Sequence, residues 1–541
     1  MSIAQEFEPR FAHPLPMVVA KWSEQTPDAP FLIDAESGQT LSYGDVDLTA
    51  DRWTRAIAVL GVEHRDVVLT MLTNVPGTVE VSLGIQWRRG IEFAVQTSYR
   101  AEMLAHAFEI ATPKVAIIDG RFRDAFRGIE DHLGRLSALV IVGDAAGWDD
   151  VPVQPLSAEE LLAAYTDDSS FGKLRTMPEW SDIGIIHLTS GTTGPSKGVM
   201  QYWRQMYKTA TGTPGDLPGL GQEARWYSPY SMAASAGRSK VYTMALLGGS
   251  VVQRTSFRTQ DFWPDVRTYG CTHTLLVRTT ANFIMSLPPS DSDRNHPLRC
   301  VQMAPLIGEV DAFRERFGVP IYTTYNMTEL SLPIISDGIR LVDGESCGRI
   351  RPGYELRVAD ADDNPVPDGE EGELLVRSAN PWELMAGYWR QPEATVETWR
   401  NQWVHTGDRF RRDADGNYYF LDRIKDVIRY RGNNVSSWEL ERAVNDHPAV
   451  RESAAVGVPS DLNEEDIRLG VVLIEGHSVS PVELVEFLRA KVASFMIPRY
   501  IEFIDDLPRS ATEKVQKSPL RDKPISDATW DRLADSASAS G

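Results

Sequence analysis

Short apolar runs alternate with amphipathic stretches along the first part of the chain. Residues 31–33, 67–72 and 115–118 are apolar and rich in β-branched side chains, which predicts buried strands. Residues 48–60 and 79–87 repeat apolar side chains at helical spacing. Strands that alternate with helices indicate an α/β fold with parallel strands, whose ligands lie at the carboxyl ends of those strands.

The same alternation resumes after residue 200. Residues 226–229, 249–253, 273–277 and 301–304 are predicted to be strand ends, with helical patterns between them. We therefore predict two α/β subdomains, the second of which covers about 200 to 340.

The pattern changes from about residue 345. Glycine and proline interrupt short alternating runs such as 354–358 and 373–376, which predicts a small antiparallel sheet or β-barrel. Beyond residue 422, a charge-dense stretch precedes amphipathic helices and two strands, which indicates an α+β domain. The predicted organisation is an N-terminal domain over 1–421, a hinge at 422–425 and a C-terminal domain over 426–541.

Composition excludes several classes of function. The chain has 541 residues and a formal net charge of −21, which disfavours binding to nucleic acids or to anionic membranes. Three cysteines far apart predict neither a disulfide framework nor a zinc site. The N-terminus lacks a signal-peptide pattern, and no apolar run approaches the length of a membrane span. We therefore expect a cytoplasmic protein without membrane insertion.

The densest candidate chemistry lies between residues 188 and 200. This stretch follows a predicted strand and combines three glycines, several hydroxyl side chains and Lys197. Glycine-rich backbone N–H groups, hydroxyls and a lysine together form a phosphate cradle. The stretch is not a Walker A loop, because Ser196 replaces the second glycine and Gly198 follows the lysine. The alternative is a flexible surface loop.

Further segments carry candidate chemistry, and most of them also have a structural explanation. Residues 322–329 end in a Thr-Glu pair, which suits a phosphate and Mg²⁺ or a helix cap. Residues 405–408 place an aspartate where it can accept ribose hydroxyls, as acidic residues do in dinucleotide sites. Residues 422–434 form either a solvated linker or a hinge. Residues 507–517 contain lysines that are exposed by default.

Taken in order, these segments identify a family. The cradle, Tyr-x-Met-Thr-Glu, Thr-Gly-Asp, Asp-Arg-Ile-Lys and the Pro-Arg tail with Lys-Val-x-Lys resemble the acyl- and aryl-CoA synthetases of the adenylate-forming superfamily. This superfamily includes luciferase and the adenylation domains of peptide synthetases. The resemblance covers residues 41 to 517 and is greatest to carnitine/crotonobetaine-CoA ligases and related bacterial acyl-CoA ligases.

The resemblance implies an ATP-dependent, AMP-forming acyl-CoA synthetase that uses Mg²⁺ and coenzyme A. A carboxylic acid is first joined to AMP, and CoA then displaces the AMP. The C-terminal domain would be mobile and rotate between the two steps. The implied catalytic residues are Lys514, Thr328 and Glu329, with Glu329 also holding the metal. The implied ATP (or acyl-AMP) and CoA residues are Thr189, Ser190, Gly191, Thr192, Thr193, Gly194, Lys197, Ala304, Tyr325, Asn326, Asp408, Arg423, Arg429 and Gly432.

The implied pocket for the acid is lined by Tyr230, Met232, Ala234 and Met303. Small residues nearby suggest an acid larger than acetate, and such synthetases are often homodimers. Four departures from the family pattern lie at Asn326, at Gln302-Met303, at Glu513 beside Lys514, and in residues 229–237, which lack the family's usual histidine near the acyl pocket. They leave two alternatives open, namely a ligase that only thioesterifies a preformed acyl-adenylate and a non-catalytic nucleotide-binding relative.

Overall fold

The computed structural model of the protein describes residues 7, 9–165, 170–189, 197–424, 428–430, 433–435, 437–460, 465–489, 491–492, 494–509, 515–526 and 528–534. These residues divide into two compact units. The first unit takes the described parts of Met1–Thr189, Ser196–Leu356 and Val376–Val404. The second takes those of Arg357–Leu375 and His405–Gly541.

Helices and strands alternate along most of the chain, as the apolar pattern predicts. The helices are α1 Leu15–Gln25, α2 Tyr43–Val59, α3 Pro76–Trp87, α4 Ala101–Ala111, α5 Glu130–Leu133, α6 Ala158–Ala163, α7 Trp203–Ala210, α8 Ser235–Leu247, α9 Thr259–Thr268, α10 Arg278–Met285, α11 Val310–Phe317, α12 Pro392–Thr398, α13 Ser437–Asn445, α14 Pro481–Arg489 and α15 Lys517–Asp522.

The strands are interspersed with these helices along the chain. They are β1 Pro30–Asp34, β2 Thr40–Ser42, β3 Val67–Met71, β4 Ile91–Ala94, β5 Val115–Asp119, β6 Ala138–Val142, β7 Pro155–Ser157, β8 Ile183–Thr189, β9 Lys197–Tyr202, β10 Arg225–Ser228, β11 Ser250–Gln253, β12 His273–Leu276, β13 Cys300–Met303, β14 Ile321–Tyr322, β15 Thr324–Met327, β16 Ser331–Ile335, β17 Ser346–Ile350, β18 Tyr354–Ala359, β19 Glu371–Ser378, β20 Gly387–Tyr388, β21 Val404–Arg412, β22 Tyr418–Arg423, β23 Ile428–Tyr430, β24 Asn433–Val435, β25 Val450–Pro459, β26 Glu465–Leu473, β27 Tyr500–Phe503 and β28 Trp530–Asp531.

Local chemistry explains where the first long helices begin. Ser42 accepts a hydrogen bond from the backbone N–H of Asp45, whose carboxylate in turn accepts from the backbone N–H of Ser42. This capping box satisfies two backbone donors that a helix start leaves without partners. Helix α3 begins at Pro76, whose fixed φ suits the first helical position. Both helices then bury apolar faces in the first unit.

The first sheet of the first unit has the order β20-β9-β8-β4-β3-β5-β6-β7. Strands β8, β4, β3, β5, β6 and β7 run parallel, and β9 folds back antiparallel on β8. The carboxyl end of β8 therefore lies at the edge where parallel sheets bind their ligands. This sheet confirms the predicted parallel α/β fold.

The second sheet has the order β14-β13-β12-β10-β11-β1-β2. Its strand β1 pairs parallel with β11, 200 and more residues further along the chain. The sequence pattern placed β1 in the first subdomain, and this assignment is wrong. A run of apolar residues predicts a buried strand but contains no information about its partner, which long-range packing selects.

Antiparallel strands follow the two parallel sheets, as predicted. In the first unit β15, β16 and β17 pair antiparallel, and in the second unit β21 pairs antiparallel with β22. Among the described strands no closed barrel forms, so the predicted small β-barrel is corrected to open antiparallel sheet. Alternating residues indicate strands, but closure depends on strand tilt and stagger, which the pattern does not encode.

The second unit ends in an α+β arrangement with its own apolar core. Strands β25, β26, β27 and β28 form a four-stranded sheet. Helices α13 and α14 contribute Leu440, Leu484 and Leu488 to a buried cluster that also holds Ile467 and Ile501. This core confirms the predicted α+β character of the C-terminal region. Across the described part of the chain, no helix combines the length and apolar character that a membrane crossing needs.

Candidate nucleotide and acyl site

The two ends of the predicted phosphate cradle meet at the carboxyl end of β8. Thr189, the last residue of β8, lies opposite Lys197, the first residue of β9. The Thr189 hydroxyl donates to the Lys197 carbonyl oxygen at 3.4 Å. The cradle residues between them, Ser190, Gly191, Thr192, Thr193 and Gly194, lie outside the described residues. The lysine of the cradle is therefore fixed at the ligand-binding edge of the sheet by strand pairing.

One tyrosine, Tyr388, connects Lys197 to Glu329, the carboxylate predicted to bind the metal. The Lys197 Nζ lies 4.5 Å from the centre of the Tyr388 ring. The Tyr388 hydroxyl donates to Glu329 Oε1 at 2.9 Å. Glu329 is only 4% exposed. The lysine, the tyrosine and the glutamate form a continuous group that we call the Lys-Tyr-Glu group.

Backbone pairing sets the geometry of the Lys-Tyr-Glu group. Strand β20 pairs with β9 so that Tyr388 lies opposite Val199. The backbone N–H of Met385 donates to the carbonyl oxygen of Glu329 at 3.0 Å. The tyrosine is therefore held against the lysine's strand on one side and the glutamate's turn on the other. A side chain positioned by backbone hydrogen bonds loses little entropy when a ligand arrives.

Two glutamines hold the residue before this glutamate. The side-chain amides of Gln201 and Gln205 donate to the Thr328 carbonyl oxygen at 2.7 and 2.9 Å. Thr328 itself is half-buried, whereas Asn326 is exposed and Tyr325 is buried. The predicted turn 325–329 is thus attached to the strand and helix that follow the cradle.

The predicted ribose aspartate lies in the second unit together with its predicted neighbour. Asp408 is 3% exposed, and its Oδ1 lies 3.2 Å from the Nε of Arg423. The two residues are opposite each other in the β21–β22 pair. The Thr406 hydroxyl accepts from the backbone N–H of Asp408 at 3.0 Å. The structure therefore brings this predicted pair together and fixes the aspartate in place.

The first residue of the predicted hinge belongs to a buried polar network in the second unit. Asp422 accepts hydrogen bonds from the Ser437 hydroxyl at 3.0 Å and from the Trp438 backbone N–H at 3.3 Å. Lys517 donates to the Ser437 hydroxyl at 2.6 Å and pairs with Glu441 at 2.8 Å. Lys425 and Gly432 lie outside the described residues, as do the side chain of Arg429 and the whole of Lys514.

The predicted acyl segment is tied to the second sheet. The Tyr230 hydroxyl donates to the Leu275 carbonyl oxygen at 3.2 Å and accepts from the Val277 backbone N–H at 3.3 Å. Burial raises the pKa of the Tyr230 phenol to about 12, so it stays protonated at neutral pH. Met232 packs in the same apolar cluster as Tyr230, whereas Met303 packs in a different one. Ala234 is half-buried at the start of α8, and Ala304 follows β13.

Two buried side chains donate hydrogen bonds to the backbone of the predicted acyl segment. Arg238 donates to the Met232 carbonyl oxygen at 3.2 Å and pairs with Glu92 at 2.8 Å. The Nδ1 of His187 lies 3.2 Å from the Ala233 carbonyl oxygen. Burial and the nearby Arg238 lower the pKa of His187 to about 3, so the neutral imidazole donates to this carbonyl. Two neighbouring carbonyls of the segment therefore have fixed donors.

Sequence reasoning missed several residues that build this site. Tyr388, Gln201, Gln205, His187 and Arg238 each act through strand pairing or long-range hydrogen bonds. Apart from His187, these residues carried no local signal in the sequence, because a tyrosine or glutamine in an apolar run is ordinarily a packed side chain. His187 alone could have been found, since it immediately precedes the predicted cradle in a buried strand.

The residues present fit a magnesium nucleotide. Glu329 offers a buried carboxylate, and hard cations such as Mg²⁺ prefer carboxylate oxygen. Lys197 offers a positive charge close by for phosphate oxygens. In the described chain, no group of three or more histidine, cysteine, aspartate or glutamate side chains could hold a metal ion. One carboxylate is enough where phosphates and water complete the shell, as is usual for Mg²⁺.

Open α/β sheets with a lysine-bearing loop at a strand's carboxyl end are typical of nucleotide-binding proteins. The family model of the AMP-binding enzymes matches residues 19–389, and that of the AMP-binding enzyme C-terminal domain matches residues 439–514. The chain therefore belongs to the AMP-binding enzyme family, which confirms the resemblance seen in the sequence.

Individual proteins show the same similarity over nearly the whole chain. Crotonobetaine/carnitine–CoA ligase of Salmonella paratyphi B is 28% identical over 501 residues, which cover 89% of this chain and 93% of the relative. The structure of the anthranilate CoA ligase AuaEII with anthranoyl-AMP has a TM-score of 0.84 at 22% identity, covering 97% and 98% of the two chains. The o-succinylbenzoate CoA synthetase of Bacillus subtilis with ATP and magnesium has a TM-score of 0.79 at 21% identity, covering 94% and 98%.

Proposed function

We propose that the protein is an AMP-forming acyl-CoA ligase. It would convert a carboxylic acid into an acyl-adenylate with ATP and then into a CoA thioester. The observation that carries this proposal is the Lys-Tyr-Glu group, in which a cation from the cradle and a buried carboxylate share one tyrosine. The names of the similar proteins support it, since they are CoA ligases and CoA synthetases.

The first step would use the cradle and the Lys-Tyr-Glu group. A carboxylate is a poor acyl donor, and joining it to AMP supplies a good leaving group. The attack on the α-phosphate concentrates charge on phosphate oxygens, which prearranged cations and donors stabilise. Lys197 and the cradle hydroxyls would hold the outer phosphates, and Thr328 would contact the α-phosphate. Mg²⁺ bound at Glu329 would supply further charge neutralisation.

Of the remaining predicted residues, Ala304, Tyr325 and Asn326 lie in the first unit, whereas Asp408 and Arg423 lie in the second. Asp408 would accept the ribose hydroxyls beside Arg423, and Ala304, Tyr325 and Asn326 would line the nucleotide. Lys514 would bridge the acid and the α-phosphate in the first step. Rotation at 422–425 would then bring Arg429 and Gly432 to the CoA. We also propose the domain boundaries 1–421 and 426–541 for this motion.

The half-reaction ligase is a second candidate, favoured by the residues that depart from the family pattern. Gln302 is buried, donates to the Thr324 hydroxyl at 2.9 Å and accepts from Tyr322 at 3.1 Å. By the resemblance, Gln302 and Met303 narrow a region where the adenylate and the acyl chain pass close to the backbone. A pyrophosphate-release assay with ATP, CoA and a broad panel of acids decides between the two. Release that depends on an acid supports the full reaction, whereas thioester formation only from synthetic acyl-AMP supports the half-reaction.

Replacing Asp408 by asparagine tests the proposed ribose contact. We expect the KM for ATP to rise about tenfold or more with a smaller change in kcat, because a charge-assisted hydrogen bond to a hydroxyl becomes neutral. Steady-state kinetics with varied ATP provide the measurement. Asp415 lies exposed in the turn between β21 and β22, and Asp415→Asn serves as the control that removes the same charge. An unchanged KM in Asp408→Asn would contradict the assignment.

We further propose that the protein acts in the cytoplasm and forms a homodimer. Cys271 and Cys300 are buried thiols, and burial raises the pKa of Cys300 to about 12. Thiols of this kind suit a reducing compartment and do not require oxidation for stability. Light scattering after size-exclusion chromatography measures the oligomeric state directly.

A further inference from the structure

Lys240 is a buried lysine in the middle of α8 that the proposed mechanism does not use. Its side chain is 3% exposed. Its Nζ lies 4.6 Å from the centre of the Trp226 ring. Throughout the described residues, it has neither a carboxylate within ion-pair distance nor a hydrogen-bond acceptor. The adjacent Trp226 is also fully buried, and its Nε1–H has no acceptor in the same described set.

A second buried lysine, Lys208, has the polar partner that Lys240 lacks among the described residues. Lys208 in α7 donates to the Pro352 carbonyl oxygen at 3.1 Å and lies 5.5 Å from the Tyr354 ring centre. Among the described residues, Lys240 contacts the ring of Trp226 and no polar partner. Burial without a counter-charge is costly for an ammonium group and lowers the pKa of Lys240 to about 7. A buried charge without a partner in the free protein points to a ligand that supplies one.

The position of Lys240 connects it to the predicted acyl segment. Helix α8 begins at Ser235, directly after residues 230–234, so Lys240 lies about 8 Å along the helix from that segment at 1.5 Å per residue. Trp226 belongs to β10, the strand that leads into Tyr230. Trp226 and Tyr230 pack in one apolar cluster, together with Ala233 and Ala236. Lys240 therefore contacts, through Trp226, the apolar cluster that also holds the predicted acyl residues Tyr230 and Met232.

The charges around Lys240 favour an anion or a carbonyl oxygen at the far end of a bound acid. His273 on β12 stacks beside Trp226 at 5.7 Å, and burial lowers the pKa of His273 to about 4, so it is neutral. Arg238, two residues earlier on α8, is already paired with Glu92. No described carboxylate forms an ion pair with Lys240. An acid with a positive group at its far end would meet an ammonium there, which is repulsive in a low dielectric.

We propose that Lys240 binds an oxygen acceptor at the distal end of the acid. The preferred substrates would then be carboxylic acids with a second carboxylate or a keto group, and not acids with a distal quaternary ammonium. This inference rests on the proposed ligase function and names its substrate class. Lys240 would act as a specificity residue that touches the substrate far from the reacting carboxylate.

The test compares the protein with Lys240→Met on matched acids. At each of several chain lengths, the panel holds an unsubstituted acid, its terminal keto analogue, the dicarboxylic acid and the terminal trimethylammonium analogue. Methionine keeps the unbranched shape and removes the donor. The unchanged protein should prefer an acceptor-bearing acid over the unsubstituted one by about 100-fold or more in kcat/KM, because a buried donor rejects ligands that leave it without a partner. Lys240→Met should lose that preference. The keto and dicarboxylic arms show which oxygen is bound.

Lys208→Met is the matched control, since it removes a buried lysine outside the proposed site. It should lower stability and leave the order of preference among the acids unchanged. A preference that survives in Lys240→Met, or an unchanged protein that prefers the unsubstituted or cationic acid, would overturn the inference.

Thermal shift with the same acids gives a readout that does not require turnover. A binding acid stabilises the folded protein. We expect acceptor-bearing acids to raise the thermal midpoint of the unchanged protein and not that of Lys240→Met. Absence of turnover with every acid would reject the proposed ligase, whereas equal thermal shifts in both proteins would reject the role of Lys240.

Discussion

Replacing Glu329 by glutamine is expected to slow acid-dependent pyrophosphate release by about 100-fold or more, because it removes the carboxylate on which the proposed Mg²⁺ site depends. Glutamine keeps the size of the side chain, and its carbonyl oxygen can still accept a hydrogen bond from the Tyr388 hydroxyl. Because Glu329 is buried, water cannot readily replace the carboxylate as a metal ligand. The measurement is the initial rate of pyrophosphate release over a range of Mg²⁺ concentrations.

Tyr388→Phe is the matched control for this prediction. It removes the hydrogen bond of 2.9 Å to Glu329 and keeps the charge of the carboxylate. We expect a loss of about tenfold or less, in keeping with a neutral donor that only orients the carboxylate. A Glu329→Gln enzyme that works within about threefold of the unchanged protein would remove Glu329 from the mechanism. Equal losses in both variants would show that the hydrogen bond matters and the charge does not.

Replacing Lys514 by alanine is expected to separate the two proposed half-reactions. The proposed role of Lys514 is to bridge the acid and the α-phosphate during adenylation only. Loss of this cation should reduce acyl-CoA formation from acid and ATP by about 100-fold or more. Acyl-CoA formation from synthetic acyl-AMP should stay within about threefold. Both rates are measured by chromatography of the CoA products.

Lys517→Ala is the contrasting variant three residues further on. Lys517 pairs with Glu441 and Ser437 in the network that holds Asp422. Burial already raises the pKa of Glu441, so the loss of its cation would leave a costly buried carboxylate. We expect a lower thermal midpoint and parallel losses in both half-reactions. If Lys514→Ala instead impaired both half-reactions equally, its proposed role in adenylation would be wrong.

The apolar pattern predicted the elements of the fold closely because it reports burial directly. The predicted strand 115–118 is β5, Val115–Asp119, and the predicted helix 48–60 overlaps α2, Tyr43–Val59. The pattern failed where partners are chosen over long distances. Strand β1 joins the second sheet through β11, and the antiparallel strands stay open, since pairing and closure depend on packing that no local window contains.

The candidate site was also predicted only in part. Asp408 and Arg423 were predicted from their motifs, and the register of β21 and β22 brings them together. Tyr388 was not predicted, although it joins Lys197 to Glu329, because its role arises from the pairing of β20 with β9. Lys240 was also missed, since a lysine in a helical pattern is exposed by default and only packing shows that it is buried.

The most direct test of the account is to identify the products formed from ATP, CoA and pooled carboxylic acids by mass spectrometry. The proposed ligase predicts AMP, pyrophosphate and an acyl-CoA in equal amounts, and none of them without an acid. Formation of ADP and phosphate would contradict it. So would a protein that makes acyl-CoA from acyl-AMP yet releases no pyrophosphate with any acid.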